Sequence, residues 1–230
     1  MSTRIVEVRR GILKQNDQQA AVLRRRFQEA GVTVVSLVSS PGAGKTEFLR
    51  RTLEALRGAG HRVAAIVGDL ETDNDARRLA EAGVPVRQIV THGRCHLEAE
   101  MIGEFLADWD LTALDYLFIE NVGNLVCPAS YDLGEALRVA LLSVTEGEDK
   151  PLKYPTMFNS ADVALITKID LAEACEFDRA AARAALHDVR PGMEALEVSS
   201  KRGTGFAEWM TLLRERREGW TRRVAARVPA

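Results

Sequence analysis

The sequence predicts an α/β fold: a three-layer, doubly wound, mostly parallel sheet. Two patterns and one motif predict it. Apolar runs of strand length alternate with longer segments whose apolar residues recur every three or four positions, as in a parallel sheet wrapped by helices. The strand runs carry no internal Gly or Pro, as buried strands require. A glycine-rich turn, SSPGAGKT at 39–46, joins the first strand run to a helical segment, the setting of a phosphate-binding loop.

In chain order, residues 15–30 read as an amino-terminal helix with Asn16 as its cap, because a short polar side chain satisfies the unpaired N–H groups of a first turn. Strands follow at 33–38 (TVVSLV), 63–67 (VAAIV), 86–90, 115–119 (DYLFI), 161–167 (ADVALIT) and 196–199. Helices are expected at 46–56, 74–82, 96–107, 177–189 and 205–223, where apolar residues keep to one face. The longest irregular stretch, TEGEDKPLKYPTMF at 145–158, holds two prolines and reads as a functional loop. No repeat, low-complexity tract or linker divides the chain, so residues 1–230 read as one domain.

Composition narrows the function. With 31 Lys+Arg against 33 Asp+Glu, the formal charge of −2 argues against a polybasic nucleic-acid binder or a membrane-surface protein. Residues that are 46% hydrophobic and 28% charged suit a folded core. No apolar run reaches the roughly 18 residues of a membrane span, and the charged amino terminus lacks a signal-peptide core. Three cysteines, at 95, 127 and 175, are too few and too odd in number for a secreted disulfide framework. A soluble, cytoplasmic protein is expected.

In the glycine-rich turn, Gly42, Ala43 and Gly44 would turn successive backbone N–H groups toward phosphates. Lys45 would reach the β and γ oxygens, and Thr46 would ligate Mg²⁺. Ser39 stands where the general pattern has its first glycine. Thr167-Lys168-Ile169-Asp170 follows an apolar strand, like the N/T-K-x-D motif that reads guanine. A carboxylate at Asp170 accepts from both guanine N1–H and the exocyclic amine, donors that adenine lacks there. Lys168 would lay its stem along the base, and Ser199-Ser200-Lys201 resembles the element that contacts guanine O6. Thr167 in place of Asn is expected to loosen the tie to the phosphate loop. Asp69 and Glu120 each sit at a strand end, where a carboxylate holds Mg²⁺ directly or through water. Gly123, three residues after Glu120, would let its N–H meet the γ-phosphate.

Cys95 and His96 are adjacent, and Cys127 lies seven residues beyond Glu120. Thiolate and imidazole suit Zn²⁺ or Ni²⁺, and water or a second chain would complete a three-ligand set. The competing reading is that each cysteine is a small buried apolar residue. His92 is a further candidate ligand, with a surface loop as its plainer reading. His61, His187 and Cys175 carry no partner signal.

Taken together, SSPGAGKT at 39–46, GDLETDNDA at 68–76, RCHLEAEMI at 94–102, IENVGNLVCPASYDLGE at 119–135, TEGEDKPLKYPTMF at 145–158 and TKIDLA at 167–172 resemble the nickel-incorporation GTPases of NiFe-hydrogenase maturation, the HypB family. The resemblance runs from Ile12 to about Lys201. It implies a P-loop GTPase of the dimerising branch that converts GTP to GDP and phosphate with slow intrinsic turnover. It implies Cys95, His96 and Cys127 as Ni²⁺ or Zn²⁺ ligands at a subunit interface, and Thr46, Asp69 and Glu120 as the Mg²⁺ environment. Lys150 or Lys153 would reach a partner copy's nucleotide. The implied partners are a second copy of the chain on GTP or metal binding, a HypA-type nickel-delivery accessory protein and a hydrogenase large-subunit precursor, without nucleic acid or membrane. Two features depart from the family: Glu47 stands where a second Thr is common, and no amino-terminal cysteine motif or His-rich tract is present, so terminal nickel storage is not expected. The rivals are a urease-type nickel GTPase and a metal-binding dimer that uses GTP only as a structural ligand.

Overall fold

The computed structural model describes residues 2–69, 74–91 and 93–225, with side chains from 11 to 222 outside the two gaps. Its element order is α1 (Ser2–Ala30), β1 (Thr33–Ser39), α2 (Lys45–Gly58), β2 (Val63–Asp69), α3 (Asn74–Ala80), β3 (Val86–Val90), α4 (Ala99–Phe105), β4 (Tyr116–Glu120), β5 (Leu137–Ser143), α5 (Lys150–Lys153), α6 (Pro155–Ser160), β6 (Val163–Thr167), α7 (Arg179–Val189), β7 (Glu194–Val198) and α8 (Phe206–Ala225). The seven strands lie in the order β3-β2-β4-β1-β5-β6-β7, and every pairing is parallel. All strands therefore end at the same edge, and β1 lies at the centre, where successive connections turn to opposite sides. Open α/β sheets bind ligands beyond the strand ends at such a crossover.

Strand periodicity divides the core into two faces. Val35 and Leu37 of β1 pack with Phe48, Leu49 and Leu53 of α2 and with Trp209 and Leu213 of α8. On the other face, Val34 packs with Leu23 and Phe27 of α1 and Ile102 of α4, and Val38 with Met157 and Phe158 of α6 and Leu186 of α7. Side chains alternate across a strand, so both faces of a central strand must be apolar. The opposite edge of the sheet is pinned by charge. Asp115, just before β4, accepts from the Arg62 backbone N–H at 2.9 Å, from Arg62 Nη2 at 3.1 Å and from Arg217 Nη2 of α8 at 2.8 Å. Burial raises the Asp115 pKa, but the Arg62 hydrogen bonds and the charges of Arg217 and Arg62 outweigh it and hold the carboxyl below its ordinary value.

Several expectations need correction. A strand at Leu137–Ser143 was not anticipated, yet it lies between β1 and β6. All seven of its residues are buried as in β1, including Arg138, which breaks the apolar run and pairs with Glu135 at 2.6 Å. The first helix starts at Ser2, not at 15, so Asn16 lies inside it and caps nothing there. Asn16 is buried instead, with Nδ2 donating to the Asp132 carbonyl at 2.8 Å and Oδ1 accepting from the Ala99 N–H at 2.9 Å. It thus caps α4, a helix 83 residues away. The segment 145–158 is mostly short helix: a 3₁₀ turn at Val144–Glu146, then α5 and α6, whose prolines stand at helix starts where their missing N–H costs nothing. The helix expected from 96 begins at Ala99, because the residues before it form the loop that carries Cys95 and His96.

Candidate nucleotide and metal sites

A cleft of about 420 Å³ opens at the carboxyl edge of the sheet, lined by Gly42, Gly44, Lys45, Thr46, Glu47, Asp69, Asp75, Arg78, Glu120 and Gly123 among others. The turn before α2 is left-handed at Gly42 (φ 75°) and Gly44 (φ 95°), backbone that L side chains rarely adopt. At Gly123 the constraint is close approach: a Cβ there would lie 2.9 Å from Pro41 Cα. Lys45 is buried, and its Nζ donates to Ser39 Oγ at 3.0 Å, so the serine at the first-glycine position engages the lysine. Burial lowers the Lys45 pKa while Glu120, Asp75 and Glu146 oppose that shift.

Thr46 Oγ1 donates to Glu120 Oε1 at 2.8 Å. Glu120 Oε2 is buried and has no hydrogen-bond partner. Burial pushes the Glu120 pKa up to about 7 against the pull of Lys45 and Thr46. An orphaned carboxylate oxygen beside a threonine hydroxyl at the phosphate turn suits a divalent cation, which would supply the missing partner and keep the group ionised. Asp69 ends β2 on the lining of the same cleft. Residues 70–73, which follow it in the GDLETDNDA segment, lie outside the described residues.

At the TKID segment expected to read the base, Thr167 Oγ1 donates to the Ala43 carbonyl at 2.7 Å, so the threonine keeps a tie to the phosphate turn. Lys168 has a left-handed backbone (φ 57°), and its Nζ donates to the Gly42 carbonyl at 2.7 Å, laying its stem across the turn. Asp170 Oδ1 accepts from Ser199 Oγ at 2.5 Å. Ser200 and Lys201 are the next residues of the loop after β7; the hydroxyl that orients Asp170 belongs to Ser199. Glu47, on the first turn of α2, faces Arg50 at 2.7 Å and Arg78 at 3.3 Å. Lys153 pairs with Asp149 at 2.6 Å and Lys150 lies 5.3 Å from the Tyr154 ring centre, so within this chain both answer to neighbours on their own segment.

Glu146 was not singled out from the sequence. Its carboxylate accepts from Ser40 Oγ in the phosphate turn and from the Ser143 N–H at 3.2 Å. Burial raises its pKa against the opposing charges of Lys150, Lys168 and Lys45. Arg78, on the cleft lining and paired with Glu47, was not singled out from the sequence either. Both contacts are long-range pairings that no local motif encodes.

Beside the cleft, the candidate ligand atoms of Cys95, His96 and Cys127 all lie within 4.8 Å of one another. Cys95 Sγ is 3.6 Å from His96 Nδ1. His96 Nε2 lies 3.3 Å from Glu98 Oε1, outside hydrogen-bond geometry, and the ring centre lies 3.9 Å from that of Tyr131 with the two planes tilted by 34°. Burial lowers the His96 pKa against Glu98, which favours the neutral imidazole that can ligate a metal. Two thiols and an imidazole fit Ni²⁺ or Zn²⁺ and leave room for a further ligand. Cys175 is exposed at the end of a turn, His61 contacts Asp115 and Tyr116, and His187 is exposed on α7, so none joins this cluster. His92 lies outside the described residues.

The family described as CobW/HypB/UreG, nucleotide-binding domain, matches residues 33–197. The hydrogenase maturation factor HypB of Azotobacter vinelandii is 49% identical over 228 residues, 99% of this chain and 74% of that protein. The hydrogenase/urease maturation factor HypB of Helicobacter pylori is 40% identical over 221 residues, 94% of this chain and 90% of that protein. The crystal structure of Helicobacter pylori HypB in complex with nickel superposes with a TM-score of 0.82 at 40% identity, covering 90% of this chain and 97% of that one. The chain belongs to the HypB family of the CobW/HypB/UreG nucleotide-binding proteins.

Proposed function

We propose that this chain is a GTP-hydrolysing metallochaperone that binds nickel and assists its insertion during hydrogenase maturation. One observation carries the reading: Cys127 lies on the segment that leaves Glu120, so a nucleotide cleft and a thiol–imidazole cluster share one stretch of chain. The relatives' names supply the metal and the process.

Gly42, Ala43 and Gly44 present backbone N–H groups to the phosphates, Lys45 neutralises the β and γ oxygens, and Gly123 meets the γ-phosphate. Thr46, Asp69 and Glu120 would hold Mg²⁺, which supplies charge neutralisation at the transferred phosphoryl group. Asp170 reads guanine, Lys168 and Thr167 hold the base-reading loop against the phosphate turn, and Ser200 and Lys201 face guanine O6. Among the described residues no side chain in the cleft is placed as a dedicated base, so slow intrinsic turnover resting on electrostatic stabilisation is expected. Nickel is the cargo of Cys95, His96 and Cys127, and Zn²⁺ is the alternative occupant. The 230 residues act as one domain in the cytoplasm. A second copy closes on the first when GTP or metal binds, and nickel passes between a HypA-type accessory protein and a hydrogenase large-subunit precursor. The Helicobacter pylori relative, named for both hydrogenase and urease maturation, favours urease as a second recipient class.

The test measures GTP turnover with and without Ni²⁺, together with metal content and oligomeric state in GDP and in a non-hydrolysable GTP analogue. Turnover of GTP, one metal per cluster and a nucleotide-dependent dimer are expected. Absence of turnover and of any metal effect on nucleotide affinity would leave only a metal-binding dimer with GTP as a structural ligand.

A further inference from the structure

The two loops of the thiol–imidazole cluster hang on asparagine side chains whose own backbones are fixed to the end of β1. Asn121 follows Glu120 and is buried. Its backbone N–H donates to the Leu37 carbonyl at 3.0 Å. Its side-chain Oδ1 accepts two N–H groups, from Val122 at 2.9 Å and from Leu97 at 3.0 Å. Leu97 is the neighbour of His96, and it sits so close to the end of β2 that a Cβ on Gly68 would come within 2.7 Å of it.

Asn124 repeats the arrangement one residue beyond Gly123. Its backbone N–H donates to the Ser39 carbonyl, at the start of the phosphate turn, at 2.8 Å. Its Oδ1 accepts from Val126 at 2.7 Å and from Cys127 at 3.2 Å. One carboxamide thus holds the loop of Cys95 and His96, and the other holds the loop of Cys127. Glu120, directly before Asn121, and Val122 and Gly123, between the two asparagines, all line the nucleotide cleft.

We propose that Asn121 and Asn124 are the positioning residues through which the nucleotide state sets the geometry of Cys95, His96 and Cys127. The proposal rests on the metallochaperone reading above. An adjustment of Glu120 and Gly123 to bound nucleotide displaces the asparagines beside them. A hydrogen bond tolerates only a few tenths of an ångström before it weakens, so the amides of Leu97 and Cys127 either follow or are released. Either outcome changes the separation of the three ligand atoms, which is the differential interaction that linkage between two sites demands.

The experiment titrates Zn²⁺ and Ni²⁺ by chelator competition into the full chain, with Mg²⁺–GDP and with a non-hydrolysable GTP analogue. Wild-type affinities are expected to differ between the two nucleotide states by about fivefold or more. Asn121→Ala and Asn124→Ala should each bring that ratio to within twofold of one. Asn121→Asp and Asn124→Asp, whose carboxylates accept the same N–H groups, should keep it. A wild-type ratio of one defeats the metallochaperone switch itself. A wild-type difference that survives in both alanine variants overturns the proposal and leaves the switch standing. Should Asn121→Ala fail to unfold cooperatively, Asn124→Ala decides the ratio, because its side chain lies in a partly exposed loop. Hydrogen exchange at the Leu97 and Cys127 amides of the wild type gives a second reading. Protection of both should change with nucleotide, and identical protection in the two states overturns the proposal as well.

Discussion

The phosphate turn and the thiol–imidazole cluster occupy the same edge of one sheet and are built in opposite ways. The turn is contiguous: residues 39–46 run from β1 into α2, and its working parts are backbone N–H groups, one lysine and one hydroxyl. The cluster is assembled, with Cys95 and His96 on the loop before α4 and Cys127 on the loop after β4; Asn16 of α1 and Asn121 reach across to the first loop, while Asn124 braces Cys127 from three residues away. The turn is defined within one stretch of chain and is braced by Glu146, Thr167 and Lys168, whereas the cluster exists only because two separate loops are brought together.

The comparison is open to breakage at each side. Lys45→Ala removes the buried cation of the phosphate turn and should lower single-turnover GTP hydrolysis by about 10²–10³-fold, with the thermal midpoint little changed; a loss under threefold would mean that the turn does not handle the phosphates. Cys127→Ala takes one ligand from the assembled cluster. Metal affinity should fall by about 10²-fold or more, since loss of a mere outer-shell partner already costs about 10–100-fold, while GDP affinity stays within threefold; equal affinity and stoichiometry in the variant would remove Cys127 from the site.

Asp170→Asn should weaken GTP by about 10–100-fold and relax its preference over inosine and adenine nucleotides, because the amide accepts only one of the two guanine donors. Unaltered preference in a competition assay would refute base reading by Asp170. Asn16→Ala strips the cap from α4 without touching the phosphate turn. It should cost about 1–2 kcal/mol of unfolding free energy and speed exchange of the Ala99 amide, with GTP affinity unmoved. A variant that instead loses GTP while keeping metal would reverse the two roles.

The smallest expected effect lies at the far edge of the sheet, away from both sites. The Asp115 carboxyl is held below its ordinary value in the folded chain, so its contribution to stability is present above the unfolded pKa, about 3.9. That contribution is lost as pH falls through the lower folded value. Arg217→Ala lets the folded value rise toward the unfolded one. It should cost about 1 kcal/mol at neutral pH and shift acid unfolding, followed by circular dichroism, to higher pH. An acid midpoint equal to that of the wild type would show that Asp115 does not govern it.

Legibility tracks the range of the interactions. The phosphate turn, the TKID segment and most strands were readable because backbone conformation and burial periodicity are written in neighbouring residues. β5 was missed because Arg138 interrupts its apolar run, and only the pairing with Glu135 in the fold shows how that arginine is buried. Asn16 looked like a cap and is one, but of α4; a cap motif records the chemistry of an amide oxygen and not its destination. Glu146 and Arg78 reached the cleft unannounced, since each meets its partner, Ser40 and Glu47, on a different element far along the chain.

The three cysteines illustrate the same boundary. Their number and residue types, met with an adjacent histidine, restrict the chemistry to soft divalent metals or plain packing, because thiol and imidazole have few other uses in such a set. By itself the sequence therefore determined the phosphate turn, the guanine-reading segment, the fold class and the candidate ligands, all features set by local backbone geometry and side-chain chemistry. Tertiary structure alone decided that Cys95, His96 and Cys127 converge while Cys175 stays apart, that Glu120 turns one oxygen to Thr46 and leaves the other unpartnered, and that asparagine side chains join the two sites. The physical reason is that convergence depends on strand order and on hydrogen bonds between residues distant in the chain, and neither leaves a periodic trace in the sequence.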